Sequence, residues 1–454
     1  MDTMHRFFDL GLPTEVSIRD VKGWNPFVFP MQEGVSRRST GTGEGRLASM
    51  CVLALATSLF HLRLRQGFCY TFAMDSLSDH SVNMRRRDWL KGCAAGALFL
   101  GCRTALAARS RGNYSVVLLG DTHYDTFPSS TYHAHYDNDR KDEWLWRVQR
   151  AEFMRNGDMW SDRCPRLLKA SADCMPSDAR FVLQLGDLVQ GDCDHQPTHK
   201  RMLDDVMQLM KRAYAGRLPF VAVEGNHDIR GDGALEAYHE WSNATMGREL
   251  GQEVTSTTYS FRQGGDAWVV VDFNCPDPEL VNRLVDSTQG ARHLFLVTHG
   301  PLVFSDSGSF RWSLFGAPKY NEVRRALIAK LMRRRAIILA GHTHVIDFKR
   351  LKSPEGELTQ FITSAVWTNE EMAFSKPVAT TPKAYGESTG PQLTSEGARK
   401  DFHACIGEVK PDLVEYSLTR AAGHATLSVT DSSVKATFYP GDSRKPGQVF
   451  ELVS

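Results

Sequence analysis

The chain has 454 residues, 42% of them hydrophobic and 24% charged, with a net charge of +1. This is a globular composition, outside the disordered and fibrous extremes, and it leaves no reason to expect a stable nucleic-acid partner. The nine cysteines form no C-x-x-C pair, which argues against a zinc ribbon or a thioredoxin-type site. Cys164 and Cys174 are either a disulfide of an oxidising compartment or two ordinary buried thiols.

Residues 1–83 show little organisation. The glycine cluster at Ser39 to Gly45 lacks the G-K-[ST] ending of a phosphate-binding loop and reads as a linker. The apolar run Met50 to Phe60 is too short to span a bilayer. From Met84 the pattern changes: a basic start, a short apolar run from Gly92 to Gly101, then A-x-A at Ala105 to Ala107, the small-residue pattern a signal peptidase accepts. Arg86-Arg87-Asp88-Trp89-Leu90-Lys91 resembles the twin-arginine export signal, with Trp89 in place of Phe and Arg85 in place of Ser or Thr before the pair. A buried amphipathic helix is the competing reading, but the run is apolar nearly all round. Residues 84–107 are therefore expected to be a signal peptide, read by the export machinery and leading to the periplasm. Because a signal peptide is N-terminal, Met74 or Met84 is the expected start, and 1–83 an extension that is non-native or disordered. Cys102 as a lipoprotein cysteine fits less well, with Phe99 three positions upstream. The folded domain is expected over 108–454.

After residue 110 one pattern repeats. Tyr114 to Leu119 precedes Gly120-Asp121-Thr122-His123, and Phe181 to Leu185 precedes Gly186-Asp187. Pro219 to Val223 precedes Gly225-Asn226-His227-Asp228, His293 to Val297 precedes Thr298-His299-Gly300, and Ala336 to Ala340 precedes Gly341-His342-Thr343-His344. Short runs rich in Val, Leu and Ile read as buried strands. Helical stretches lie between them, among them Thr198 to Arg212 and Asn321 to Met332, the latter followed by Arg333, Arg334 and Arg335 as a cluster suited to a helix C-terminus. In an open α/β sheet ligands gather at the carboxyl ends of the strands, where each of these polar clusters falls.

This residue set suits a pair of divalent ions. Two ions about 3.5–4 Å apart activate a water and clamp a transferring phosphoryl group. One carboxylate must bridge them, with imidazoles and oxygen donors completing each shell. A nitrogen and oxygen set without sulfur suits Mn, Fe or Zn rather than a structural zinc finger. Glycine beside each ligand lets the backbone approach closely. Two dications outweigh Asp121, Asp187 and a bridging hydroxide by one positive charge, which attracts an anionic ester, and the neutral Asn226 preserves that excess.

The five clusters resemble the calcineurin-like metallophosphoesterase superfamily, whose pattern D-x-H, G-D, G-N-H-[DE], H and G-H-x-H runs in order from Asp121 to His344. The resemblance implies an α/β fold, a β-sandwich flanked by helices, with a dinuclear metal site at the strand C-terminal ends. It implies that Asp121, His123, Asp187 and His344 hold one ion, and that Asp187 bridges to a second completed by Asn226, His299 and His342. His227 matches the family's histidine near the leaving-group oxygen, and Asp228 or another carboxylate is expected to hold its orientation. Gln190 and Gly191 depart from the Asp-then-Arg of the serine/threonine protein phosphatases and from the metal-binding Tyr of the purple acid phosphatases. Asp228 in place of Glu sits better with the bacterial phosphodiesterase-like branch.

The first two motifs are separated by an insert at 124–180 with Trp144, Trp146 and Trp160, expected to be helical over Glu143 to Ala172 and broken near Pro165. Its tryptophans either pack it onto the body or form a lip over the metals. His133 and His135 are either a plain surface loop or a further metal site. From about 345 the chain turns β-rich: runs at Gln360 to Val366, Ala425 to Val429, Val434 to Phe438 and Val449 to Val453 are expected to complete one sheet, with Pro377 to Arg399 as a long loop.

The expected function is hydrolysis of a small phosphate-ester substrate, phosphodiesters favoured. The alternatives are a phosphomonoesterase of the same fold, or a binding scaffold without catalysis, against which the intact ligand set argues. The export reading predicts that replacing Arg86 and Arg87 by lysine traps the protein in the cytoplasm; normal export of that variant in a fractionation assay excludes the twin-arginine route.

Overall fold

In the computed structural model the described residues are 112–126, 132, 157, 160–193, 195–305, 309, 310, 312–365, 376–387 and 395–453. The segment read as an extension and signal peptide, His133, His135, Trp144 and Trp146 lie outside them. No helix among the described residues is long and apolar enough to cross a membrane.

The strands form two sheets. The six-stranded sheet is built on three adjacent parallel strands, β1 (Tyr114–Leu119), β2 (Ala179–Gln184) and β3 (Phe220–Ala222). The eight-stranded sheet has a parallel centre of β5 (Asp266–Val271), β6 (Leu294–Thr298) and β7 (Ile337–Ala340), edged by β4 (Tyr259–Gln263). The five runs expected before the polar clusters are strands, with boundaries shifted by at most two residues, as fraying ends allow, whereas the run expected at Gln360 to Val366 is a strand over Gly356–Ile362, four residues earlier.

Alternation along the central strands shows how the layers stack. Trp268, Val270, Phe295, Val297, Ile337 and Leu339 join the core shared with β1, β2 and β3. Their neighbours Val269, Val271, Leu294, Leu296 and Ile338 belong to a second core under the helices. Both faces of these strands are therefore buried, which is why they read as continuous apolar runs. Helices α1 (Cys164–Asp173), α2 (Gln196–Ala213), α3 (Ala234–Leu250), α4 (Pro278–Ser287) and α5 (Asn321–Arg333) fall between the strands. Of the expected arginine cluster, Arg333 occupies the last turn of α5 beside Lys330, while Arg334 is the C-cap and Arg335 lies beyond the helix.

Two expectations change and one open choice closes. The chain after 345 completes both sheets, not one. Strands β8 (Ile346–Ser353), β9 (Gly356–Ile362), β10 (Lys376–Ala379) and β11 (Leu413–Arg420) extend the eight-stranded sheet, while β12 (Gly423–Val429), β13 (Val434–Pro440) and β14 (Gln448–Val453) extend the six-stranded one. A hydrophobic run announces a strand but not its partner. The segment Pro377 to Arg399 is not one long loop: it contains most of β10 and the start of α6 (Glu396–Val409), whose Ser395 accepts the Ala398 amide. The polar composition that suggested a loop includes this capping serine. Cys164 and Cys174 are free thiols. They stand at opposite ends of α1, about 15 Å apart at the helical rise, well beyond disulfide reach.

The insert anchors by packing where it is described. The helical turn before α1 breaks at Arg163, and Pro165 sits in the first turn of α1. Trp160 is buried edge-on to Tyr124 at 4.8 Å, and the Tyr124 hydroxyl meets that of Tyr132, which donates to Asp205 on α2.

Between the sheets, Trp268 stacks on Phe295 at 4.0 Å and meets Phe181 of the other sheet edge-on at 5.0 Å. Its indole N–H donates to the Tyr114 hydroxyl, which donates to the buried Asp266, itself held by Arg292. Trp268→Ala should cost about 3–5 kcal/mol in urea unfolding; a loss below about 1 kcal/mol would show that this contact is not central to the core.

Candidate metal centre

Four strand-end turns and one strand terminus bring the polar residues together. The turns after β1, β2 and β3 deliver Asp121 and His123, Asp187, and Asn226. The end of β6 delivers His299, and the turn after β7 delivers His342 and His344. Ligand atoms of Asp121, His123, Asp187 and His344 lie within 4.8 Å of one another, and so do those of Asp187, His299 and His342. Asp187 belongs to both groups. Its Oδ2 is 3.5 Å from His123 Nε2 and 3.2 Å from His299 Nε2.

These turns are strained. His123, Asp187, His342 and His344 all have φ between 43° and 72°, a region that non-glycine residues seldom occupy. Such outliers persist where the surroundings over-determine them, as at ligand clamps. Asp187 is held on three sides: its carbonyl accepts the Thr122 and His123 amides at 3.0 and 2.8 Å, and its Oδ1 accepts the His227 amide at 2.8 Å. Gly225 lies so close that a Cβ there would collide with the Asp187 amide and Oδ1. A Cβ on Gly186, at φ 93°, would strike the His299 ring.

The donor set fits divalent ions. The ring nitrogens His123 Nε2 and His344 Nε2 approach to 3.2 Å, and His342 Nδ1 and His299 Nε2 to 3.0 Å. Imidazole lone pairs converge this closely when they share a proton or a cation. Asn226 Oδ1 is buried without a hydrogen-bond partner, a cost relieved by coordination. His299 Nδ1 faces the Leu185 carbonyl at 2.7 Å and His123 Nδ1 faces Gln190 Oε1 at 3.3 Å, which directs each Nε2 inward.

Among the protein groups alone, burial and the neighbouring His227 hold His123 neutral, well below the usual imidazole range. Burial and His299 do the same for His342. Burial works against a proton on His299, but Asp187 outweighs it and the group is pushed up to about 9. For Asp187 burial pushes upward, yet His299 and His227 prevail and keep the carboxyl well below the usual carboxylate range. The carboxylate common to both groups thus stays anionic while two of the imidazoles stay neutral, the protonation states that metal ligands would need.

The structure corrects the role expected of Asp228. Its carboxylate accepts the Val189 and Gly225 amides at 3.0 and 2.8 Å, so it ties the turn after β2 to the turn after β3 and does not orient the His227 ring. Burial and the charge of Asp187 push it up to about 8. The His227 ring is oriented by the Gln190 carbonyl, 3.0 Å from Nδ1. Sequence reasoning treated Gln190 only as a departure, and it overlooked Phe273 and Trp312, whose rings flank His342 at 5.7 Å. Neither aromatic lies in a motif, so no local signal marked them.

A model of the calcineurin-like phosphoesterase family matches residues 114–346, just over half of the chain. The chain belongs to that family. No curated protein sequence matches this phosphoesterase-family chain. Among solved structures it is similar to purple acid phosphatase PPD1 from yellow lupin (Lupinus luteus) seeds, at 12% identity and a TM-score of 0.45, covering 76% of this chain and 54% of that one. It is also similar to PhoD, at 10% identity and a TM-score of 0.45, covering 75% and 70% of the two chains. A dimetal phosphatase from Danio rerio is similar at 11% identity and a TM-score of 0.40, with 75% and 99% covered. This family member thus spans about half the length of the lupin protein.

The shared carboxylate predicts that Asp187→Ala loses both ions together in elemental analysis, whereas Asn226→Ala weakens mainly one. Gly225→Ala should also strip metal although it removes no ligand, because the added methyl displaces Asp187. A full metal complement in Asp187→Ala would show that this carboxylate does not bridge.

Proposed function

We propose that the chain hydrolyses phosphate esters with two divalent ions, and that phosphodiesters are its better substrates. The observation that carries this reading is the pair of buried ligand groups that share Asp187. Asp121, His123, Asp187 and His344 would hold one ion, and Asp187, Asn226, His299 and His342 the other. Such ions supply Lewis acidity and an activated water. The donors are nitrogen and oxygen without thiolate, which suits Mn, Fe or Zn.

His227 is the proposed general acid. Its ring lies 4.3 Å from that of His123 and its Nδ1 is anchored on the Gln190 carbonyl, so a proton for a departing alkoxide would come from Nε2, which must first be protonated and give up its acceptor contact with Arg230. Arg230 stands beside it, Nη1 3.3 Å from Nε2, and is paired with the buried Asp192 at 2.5 Å. Because Asp192 answers the guanidinium charge, the site keeps its small positive excess, which suits a diester monoanion. Arg230 also favours a second reading, a monoesterase in which Nη1 binds an extra phosphate oxygen.

A panel of mono- and di-nitrophenyl phosphates and alkyl diesters, assayed with Mn²⁺, tests both readings. Diesters should turn over at least as fast as monoesters, and Arg230→Ala should affect both alike. Turnover of monoesters alone, with selective loss in Arg230→Ala, favours the second reading. His227→Ala should keep its metals and lose about 10²–10⁴-fold on alkyl leaving groups, with little loss on nitrophenolate, which leaves without a proton. Equal losses would remove His227 from the acid role.

A further inference from the structure

A second ligand cluster lies outside the shared pair. Glu224 follows β3, Asp272 follows β5 and His239 is on α3, and one ligand atom from each lies within 4.8 Å of the others. Glu224 is 2% exposed and Asp272 3%. Two carboxylates this close and this deep, with one imidazole, leave negative charge that burial makes costly unless a bound proton or a cation balances it.

The detailed geometry points the same way. Glu224 Oε2 and His239 Nε2 approach to 3.0 Å, yet both are buried atoms without a hydrogen-bond partner of adequate geometry. Close approach without alignment suits two ligands of one ion, which in a tetrahedral shell with bonds of about 2.1 Å sit roughly 3.4 Å apart. The remaining contacts orient the carboxylates. Asn274 Nδ2 donates to Glu224 Oε1 at 2.9 Å. The amides of Asn274 and Cys275 donate to Asp272 Oδ1, and Thr257 donates to Oδ2. A carboxylate accepts about four bonds, so each keeps capacity for a metal. The His239 side chain is 37% exposed, which gives an ion a route in from solvent.

We propose that Glu224, His239 and Asp272 form a third metal site, for a single divalent transition-metal ion such as Zn²⁺. The ion would join the edge of the six-stranded sheet, the eight-stranded sheet and α3. It would also steady the turn that carries Asn226, because Asn274 Nδ2 lies 3.2 Å from the Gly225 carbonyl.

The test is metal counting on the full chain after chelator treatment and reloading with Zn²⁺ alone. The wild type should hold three ions per chain and His239→Ala two, with Asp272→Asn repeating the lower count and circular dichroism confirming that both variants fold. Asp187→Ala should hold one, and the Asp187→Ala, His239→Ala double variant none. A single ion that survives Asp187→Ala and is lost in the double variant supports the third site even if the wild-type count contradicts the shared pair. Equal counts in the folded wild type and His239→Ala overturn it.

Discussion

Everything at the candidate centre depends on one carboxylate facing two ways. Asp187 Oδ2 lies within 3.5 Å of His123, delivered by the six-stranded sheet, and within 3.2 Å of His299, delivered by the eight-stranded one. That geometry requires the carboxyl ends of β1, β2 and β3 to open at the same edge as those of β6 and β7. It also requires a left-handed backbone at Asp187, at a cost of order 1–3 kcal/mol. The amides of Thr122, His123 and His227 hold the residue there, so the strain is carried by neighbours that themselves bear or adjoin ligands.

The same economy extends outward. Gln184 donates from Nε2 to the Gly186 carbonyl and accepts the Gly186 amide, fixing the turn before Asp187. Gln190 serves two histidines, through its side chain to His123 and its carbonyl to His227. Asp228 ties two ligand turns to each other. None of these groups belongs to the proposed ligand set, yet each removes a rotation that would let a ligand leave its position. Glycine works by absence: Gly186 and Gly225 allow contacts that a methyl group would forbid.

The sandwich supplies rigidity at a distance. Trp268, Phe295 and Phe181 lock the two sheets face to face, and the Tyr114–Asp266–Arg292 chain adds a polar link between them. With both sheets fixed, their strand ends cannot drift apart, and the two ligand groups keep their common member.

The amino-acid sequence alone carried the strands that feed the centre and the polar residues that converge there, because each buried parallel strand is a continuous apolar run and each of these residues follows it within a few positions. That information is local. What only tertiary structure decided is nonlocal: which sheet each late strand joins, that Asp228 spans two turns instead of steering His227, and that Gln190 positions rings rather than merely marking a departure. Strand runs such as Val434 to Phe438 carry the same pattern whichever edge they pair with, and a carboxylate's partners depend on backbone amides brought near by folding. The Glu224, His239 and Asp272 cluster is the extreme case, since its members come from a turn, a helix and the end of a strand and share no spacing that a reader of the chain could recognise.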